Sequence, residues 1–215
     1  MSNSYWSTTL IFIRHAQARA PDGSYGNDTP LSPFGHEQAQ ALVAAFTSET
    51  VPAIVYTSPY PRAVATAQPL CYYYGITPIV DARLAEFAFP AGSVATVQQR
   101  PDLVLWQPDH CGVPDGETLA TFATRVADLC TAMALQHAGK SVAFVTHSGV
   151  IDAALRWAVG LATDSLWQHD FDLATASVTE IQVWPYGRVS NGAPRYCAIR
   201  RVGDVRHLGQ LISDL

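Results

Sequence analysis

Two arginines and two histidines stand where short apolar runs give way to loops or helix starts: Arg14 and His15 after Thr9 to Ile13, Arg62 just beyond Ser58-Pro59, and His147 after Val142 to Val145. With only 13 basic residues in the chain, this placement asks for a joint explanation, and a phosphate dianion supplies one. A planar guanidinium offers a fork of donors matched to two phosphate oxygens, and a neutral imidazole can attack phosphorus as a nucleophile. Phosphoryl transfer is mainly positioning plus stabilisation of charge on the equatorial oxygens, with attacking and leaving groups in line. Two arginines, one nucleophilic histidine and one donor histidine meet that need. Each residue alone has a plainer reading. Arg14-His15 could be a charged strand end, His147 a satisfied core histidine, and Arg62 a solvated helix start, although a cation opposes the macrodipole there and so points to a bound anion.

The elements that must position these groups follow from the hydrophobic pattern. Thr9 to Ile13 reads as a buried strand, and a Gly-, Pro-, Asp- and Asn-rich loop runs from Ala20 to Pro30. Ser32-Pro33 is an N-cap and first-turn pair opening a helix to about Thr47. Ala53 to Tyr56 predicts a second strand, Pro61 onward a second helix, and Thr77 to Val80 a third strand. The stretch from Asp81 to Gly116 is irregular and carries Pro90, Pro101, Pro108 and Pro114. Leu119, Phe122, Val126, Leu129 and Met133 step by three and four, which predicts a helix over Glu117 to His137 with Gly139 as its stop. A strand at Val142 to Val145, a helix from Val150 to Val159, and strands at Ser177 to Val183 and Tyr196 to Val202 complete the set. Strands alternating with helices predict an α/β fold of three layers: a mostly parallel central sheet with helices on both faces. Sites in such sheets lie at the carboxyl ends of the strands, so both strand-tip histidines face one edge.

Composition bounds the rest. The chain has 215 residues, 48% hydrophobic and 14% charged, with a net charge of −5. At a mean hydropathy of +0.08 and a pI near 5.7, it reads as one globular domain over residues 1–215, able to bury about 70% of the unfolded surface without metal or disulfide support. The acidic balance excludes nucleic acid and an anionic membrane as main partners, since both need a dense basic field. It leaves room for a small anion held by a local cluster. Cys71, Cys111, Cys130 and Cys197 are scattered without CxxC or finger spacing, which fits a reducing cytoplasm. The start lacks the basic n-region of a signal peptide, and the window Ser141 to Leu161 contains His147, Asp152 and Arg156 and so is no membrane span. His36, His110, His137, His169 and His207 show neither HxH nor HExxH spacing, so no metal site is expected and surface positions are the simplest account. Packing likewise accounts for Tyr72-Tyr73-Tyr74 and for Trp106, Trp157 and Trp167.

Arg14-His15-Ala16-Gln17 resembles the Arg-His-Gly signature of the histidine phosphatase superfamily, the phosphoglycerate mutase-like family. Further segments match in the expected order: Leu31-Ser32-Pro33-Phe34-Gly35-His36-Glu37-Gln38-Ala39, Thr57-Ser58-Pro59-Tyr60-Pro61-Arg62-Ala63-Val64-Ala65-Thr66-Ala67, Gly116-Glu117-Thr118, and His147-Ser148-Gly149-Val150-Ile151. They span about residues 9 to 155, and the ordered set is specific where each alone is weak. The resemblance implies a phosphoglycerate mutase-like fold, with His15 as the phosphorylated nucleophile and Arg14, Arg62 and His147 completing the phosphate pocket. Asp81-Ala82-Arg83-Leu84-Ala85-Glu86-Phe87 is similar to the family's Leu-x-Glu segment, which makes Glu86 the implied proton donor. Asp81 and Glu117 stay as spare acids, because the alternative acid position after the late histidine holds Ser148. The chain departs from the family at Ala16, where glycine is usual, and at Ala20, where many members carry asparagine. Gln17 is a known alternative to glutamate, and the family's Gly-x-Trp-Glu-Gly stretch is missing near Phe89 to Ser93.

The implied activity is metal-independent and cofactor-free hydrolysis of a small phosphate monoester through phosphohistidine. The excursion at about 81–116 would cover the active site and shape its leaving-group side, with Arg83 or Arg19 available for a second anionic group. Phosphoglycerate mutase-type transfer is the alternative, disfavoured by the short loop from Gln17 to Pro30. A non-catalytic phospholigand-binding module on the same fold is disfavoured by the presence of both His15 and Glu86. The partner is a small phosphorylated substrate; the oligomeric state is open.

Overall fold

The computed structural model describes residues 7–20, 22, 26–88, 109, 116–165, 170–185 and 196–212. Strand β1 (Thr8–Arg14) runs through the middle of a six-stranded sheet. Leu10, Phe12 and Ile13 have no exposed surface, the pattern of a strand covered on both faces. Side chains alternate across such a strand. Leu10 and Phe12 join Phe144, Phe122, Ile151 and Leu155 on one face, whereas Ile11 and Ile13 join Val55, Ala67, Leu70 and Val145 on the other. The helix-borne partners come from two layers. Helices α1 (Pro33–Ala41) and α2 (Pro61–Tyr74) lie on one side, and α3 (Leu119–Gln136) and α4 (Ser148–Ala158) on the other.

The remaining strands are β2 (Ile54–Thr57), β3 (Ile79–Val80), β4 (Ser141–Thr146), β5 (Val178–Trp184) and β6 (Tyr196–Asp204), in the order β3-β2-β4-β1-β5-β6. The pairings β3 to β2, β2 to β4 and β4 to β1 are parallel; β5 is antiparallel to β1, and β6 to β5. The sheet is therefore mixed, parallel among β3, β2, β4 and β1 and antiparallel where β5 and β6 join it. β3 is shorter than its apolar run predicts, and α1 tightens after Ala41 into a 3-10 turn at Leu42–Ala45.

The helix ends obey local chemistry. The Ser32 hydroxyl accepts from the Gly35 N–H with Pro33 in the first turn, Thr118 caps α3 by accepting from the Thr121 N–H, and α2 stops at Gly75, whose φ of 66° suits a residue without Cβ. Two expectations need correction. Tyr72 and Tyr73 are 92% and 69% exposed, on the side of α2 away from its buried residues Ala63, Thr66, Ala67, Leu70 and Cys71. His137 is buried, sharing a 3.1 Å hydrogen bond between its Nε2 and the Tyr56 hydroxyl. Trp157 is buried as expected; Trp106, Trp167, His110, His169 and most of the 81–116 excursion lie outside the described residues.

One buried amide ties distant segments together. Gln38 of α1 accepts at Oε1 from the Gln17 N–H (2.9 Å) and the Thr175 hydroxyl (3.0 Å), and donates from Nε2 to the Leu211 carbonyl (2.9 Å). Removing it takes the acceptor from the half-buried Gln17 N–H and the donor from the Leu211 carbonyl, at roughly 1–3 kcal/mol for each group. Gln38→Ala should therefore lower unfolding stability by about 3 kcal/mol, read from the denaturant midpoint at unchanged slope.

Candidate active site

The β1 to β4 register builds the centre. Arg14 lies opposite Thr146, so the next residues, His15 and His147, leave adjacent strand tips together. Their rings stand edge to face with centroids 5.1 Å apart, and the His15 N–H donates to the Thr146 carbonyl at 2.8 Å. Both are buried, at 4% and 1% exposure.

Side-chain partners then set their chemistry. His15 Nδ1 lies 2.8 Å from the Ala16 carbonyl oxygen. A carbonyl only accepts, so Nδ1 carries the hydrogen and the basic lone pair of the neutral ring is on Nε2. Burial, reinforced by Arg62 and Arg14 and opposed by the Ala16 carbonyl, lowers the His15 pKa from 6.5 to about 3. An unfolded chain would bind a proton there below pH 6.5 while the native one does not until about pH 3, so His15 lowers native stability as pH falls through that window. Burial, with His15 and Arg62 as neighbours, also holds His147 well below the usual histidine range. Its Nε2 is 2.8 Å from the Ser58 hydroxyl, and its buried Nδ1 has no hydrogen-bond partner among the described residues.

Arg62 is 3% exposed. Its Nη1 donates to the carbonyls of Gly26 (2.9 Å) and Asn27 (3.1 Å), which anchors the guanidinium to the loop after His15. The half-buried Tyr60 ring packs between this guanidinium, 4.9 Å from the ring centroid, and His147, with ring centroids 5.0 Å apart. Arg14 is braced by the Leu173 carbonyl, which accepts from Nη1. Thr66 accepts from the Ala16 N–H (2.9 Å) and donates to the Arg62 carbonyl (2.7 Å), joining the two motifs. The sequence places Ser58, Tyr60 and Thr66 within matched segments but assigns them no role. Their signal was position alone: a polar strand end and a helix start facing the loop after β1.

Glu86 follows a 3-10 turn at Ala82–Leu84 that the Thr146 hydroxyl fastens through the Leu84 carbonyl at 2.7 Å. Its Oε2 accepts from the Gly149 N–H and its Oε1 from the Phe87 N–H, both at 3.0 Å. A Cβ on Gly149 would come within 2.4 Å of Oε1, so only glycine lets the carboxyl approach this closely. Burial raises the Glu86 pKa against the pull of those N–H groups and of Arg62 and Arg14. The two spare acids are occupied elsewhere. Asp81 pairs with Arg83 at 2.6 Å, and Glu117 with Arg125 at 2.5 Å. Arg83 is thereby engaged, and Arg19 is exposed.

The structure thus brings Arg14, His15, Arg62, Glu86 and His147 to one sheet edge. A neutral imidazole with its lone pair on Nε2, guanidinium donors and a carboxyl inclined to hold its proton are together the equipment for phosphoryl transfer through a histidine.

The chain belongs to the histidine phosphatase superfamily (branch 1), whose family model matches residues 10–192. It is 28% identical over 184 residues to a candidate phosphoserine phosphatase 2 of Hydrogenobacter thermophilus, covering 81% of this chain and 89% of that protein. It is 29% identical over 191 residues to the 5''-phosphoribostamycin phosphatase of Niallia circulans, covering 82% and 90%. Among solved structures, YhfR of Bacillus stearothermophilus superposes with a TM-score of 0.72 at 26% identity, over 94% of this chain and 99% of that one. The phosphoglycerate mutase-like α/β fold and the phosphatase class expected from the motifs both hold. Among the described residues, no helix is long and apolar enough to cross a membrane.

Proposed function

We propose that the chain hydrolyses a small phosphate monoester in two steps at this sheet edge. In the first, His15 Nε2 attacks phosphorus and the bond to the leaving oxygen breaks. Glu86 gives that oxygen its proton, and the products are an alcohol and a phosphohistidine. In the second, ionised Glu86 takes a proton from water, the water oxygen attacks phosphorus, and the P–N bond breaks to release inorganic phosphate. Arg14, Arg62 and His147 hold the equatorial oxygens throughout. The observation that carries this reading is the pinned tautomer of His15: its Nδ1 hydrogen is held by the Ala16 carbonyl, 2.8 Å away, beside two buried arginine-flanked motifs. Hydrolysis rather than mutase transfer is favoured by the phosphatase names of the curated relatives, and their phosphorylated small-molecule substrates mark the class of partner. The scattered cysteines Cys71, Cys111, Cys130 and Cys197, without CxxC or finger spacing, support a cytoplasmic location.

Mixing the enzyme with a labelled aryl phosphate and quenching in base should trap an acid-labile, base-stable phosphoryl group on the protein, and steady-state turnover should be unchanged by chelator. Turnover without any trapped label, or loss of activity in chelator, would overturn the reading.

A further inference from the structure

Phe122 and Arg125 stand three positions apart on α3 and so share one face of the helix. Phe122 is fully buried, and the Arg125 guanidinium lies 4.9 Å from its ring centroid. Arg125 Nε and Nη2 donate to the two carboxylate oxygens of Glu117, at 3.0 and 2.5 Å. Its Nη1 donates to the carbonyl of Arg83 and, at 3.2 Å, to that of Ala85. One planar fork of N–H groups thus joins a carboxylate just ahead of α3 to two backbone carbonyls just ahead of Glu86. A partly exposed ion pair adds little stability by itself, and none of the steps above uses this one.

The chain around Glu86 is held on both sides. Before it, the Leu84 carbonyl, between the two that Arg125 holds, accepts from the Thr146 hydroxyl at 2.7 Å. After it, Phe87 packs edge to face on Phe122 with ring centroids 5.6 Å apart, and the Phe87 N–H donates to Glu86 Oε1 at 3.0 Å. Arg125 therefore meets the segment before Glu86 directly and the residue after it through Phe122. We propose that Arg125, oriented by Glu117, is a positioning residue for the proton-transfer steps: its fork fixes the backbone around Glu86, and with it the place of the carboxyl relative to the leaving oxygen and the attacking water. The inference rests on the reading of Glu86 as the proton donor.

This role needs the fork rather than the charge. A lysine ammonium keeps the charge, but it is a point donor on a flexible stem and cannot pair both Glu117 oxygens while holding the Arg83 and Ala85 carbonyls. A displacement of about 1 Å at a reacting group costs up to about a hundredfold in rate, so a loosened backbone at Glu86 is felt in the chemistry before it is felt in the fold.

The test compares kcat/KM of Arg125→Lys and wild type on two substrates, an alkyl phosphate whose poor leaving group needs the proton and p-nitrophenyl phosphate, which needs it little. The lysine variant should lose roughly tenfold to a hundredfold on the alkyl substrate and stay within about twofold on the nitrophenyl one. The second step needs Glu86 as base, so phosphohistidine formed from p-nitrophenyl phosphate and followed by base quenching should decay about tenfold more slowly in the variant. Glu117→Gln, which leaves Arg125 in place without its orienting carboxylate, should show the same pattern with a smaller loss, and it carries the test should the lysine variant fail to fold. Equal losses on both substrates, wild-type rates on both, or an unchanged decay of the phosphohistidine would overturn the proposal. Failure of the donor reading itself is distinguishable, because Glu86→Gln would then lose equally on both substrates.

Discussion

His15→Ala should lower kcat/KM on an aryl phosphate by roughly ten-thousand-fold or more, the scale seen when a covalent nucleophile is removed. That is a loss of about 5.5 kcal/mol of transition-state stabilisation. His15 is fixed by its N–H to the Thr146 carbonyl and by its ring to the Ala16 carbonyl, so its basic nitrogen has one orientation, which alanine cannot supply. No neighbour substitutes for it, because His147 is turned toward the Ser58 hydroxyl. The fold should survive, since the variant also removes a buried group that opposes folding below pH 6.5. Steady-state rates and base-quenched labelling check the outcome together. Rates equal to wild type would sink the assignment, and so would a phosphoryl group still trapped on the variant.

Glu86→Gln should show a loss that depends on the leaving group: roughly a hundred- to ten-thousand-fold for an alkyl phosphate, the range of general acid catalysis, and much less for p-nitrophenyl phosphate. The pH profile carries the sign. His15 must be neutral, which its pKa of about 3 secures throughout the mildly acidic and neutral range. Glu86 must be protonated in the first step, and its upward shift extends that condition above the ordinary carboxylate range. Wild-type kcat/KM should therefore rise out of strong acid, hold through acidic pH and fall as Glu86 ionises. In the glutamine variant the basic fall should vanish, because the amide has no proton to lose there. A basic limb that persists unchanged would assign the acid to another group.

The same residues show how far sequence reading reaches. Among the described residues, apolar runs and cap signals located the four α-helices and six strands, because alternation and the three-to-four step are local consequences of backbone geometry; α1 nevertheless ends at Ala41 rather than near Thr47, and the 3-10 turns at Ala82–Leu84 and Arg206–Leu208 had no such signal. The aromatic run at Tyr72 to Tyr74 misled, since only Tyr74 of the three turns toward the protein, where its hydroxyl donates to the Phe46 carbonyl, while Tyr72 and Tyr73 face solvent. His137 misled in the opposite sense. Its burial depends on Tyr56, 81 positions away, and nothing local announces that contact.

For the site, motif order along the chain was enough to name Arg14, His15, Arg62, Glu86 and His147 as a set. Residue type determines which groups can fork to a phosphate, attack it or carry a proton, and the strand ends determine which edge receives them. Tertiary structure decided their states. Parallel register set His15 beside His147, the Ala16 carbonyl selected the tautomer, and desolvation moved His15 downward and Glu86 upward in pKa. It also withdrew Asp81 and Glu117 by pairing them with arginines. The division has a physical reason. Which atoms can react is a property of the side chains themselves, whereas proton affinity depends on the water and charges that distant segments remove or supply.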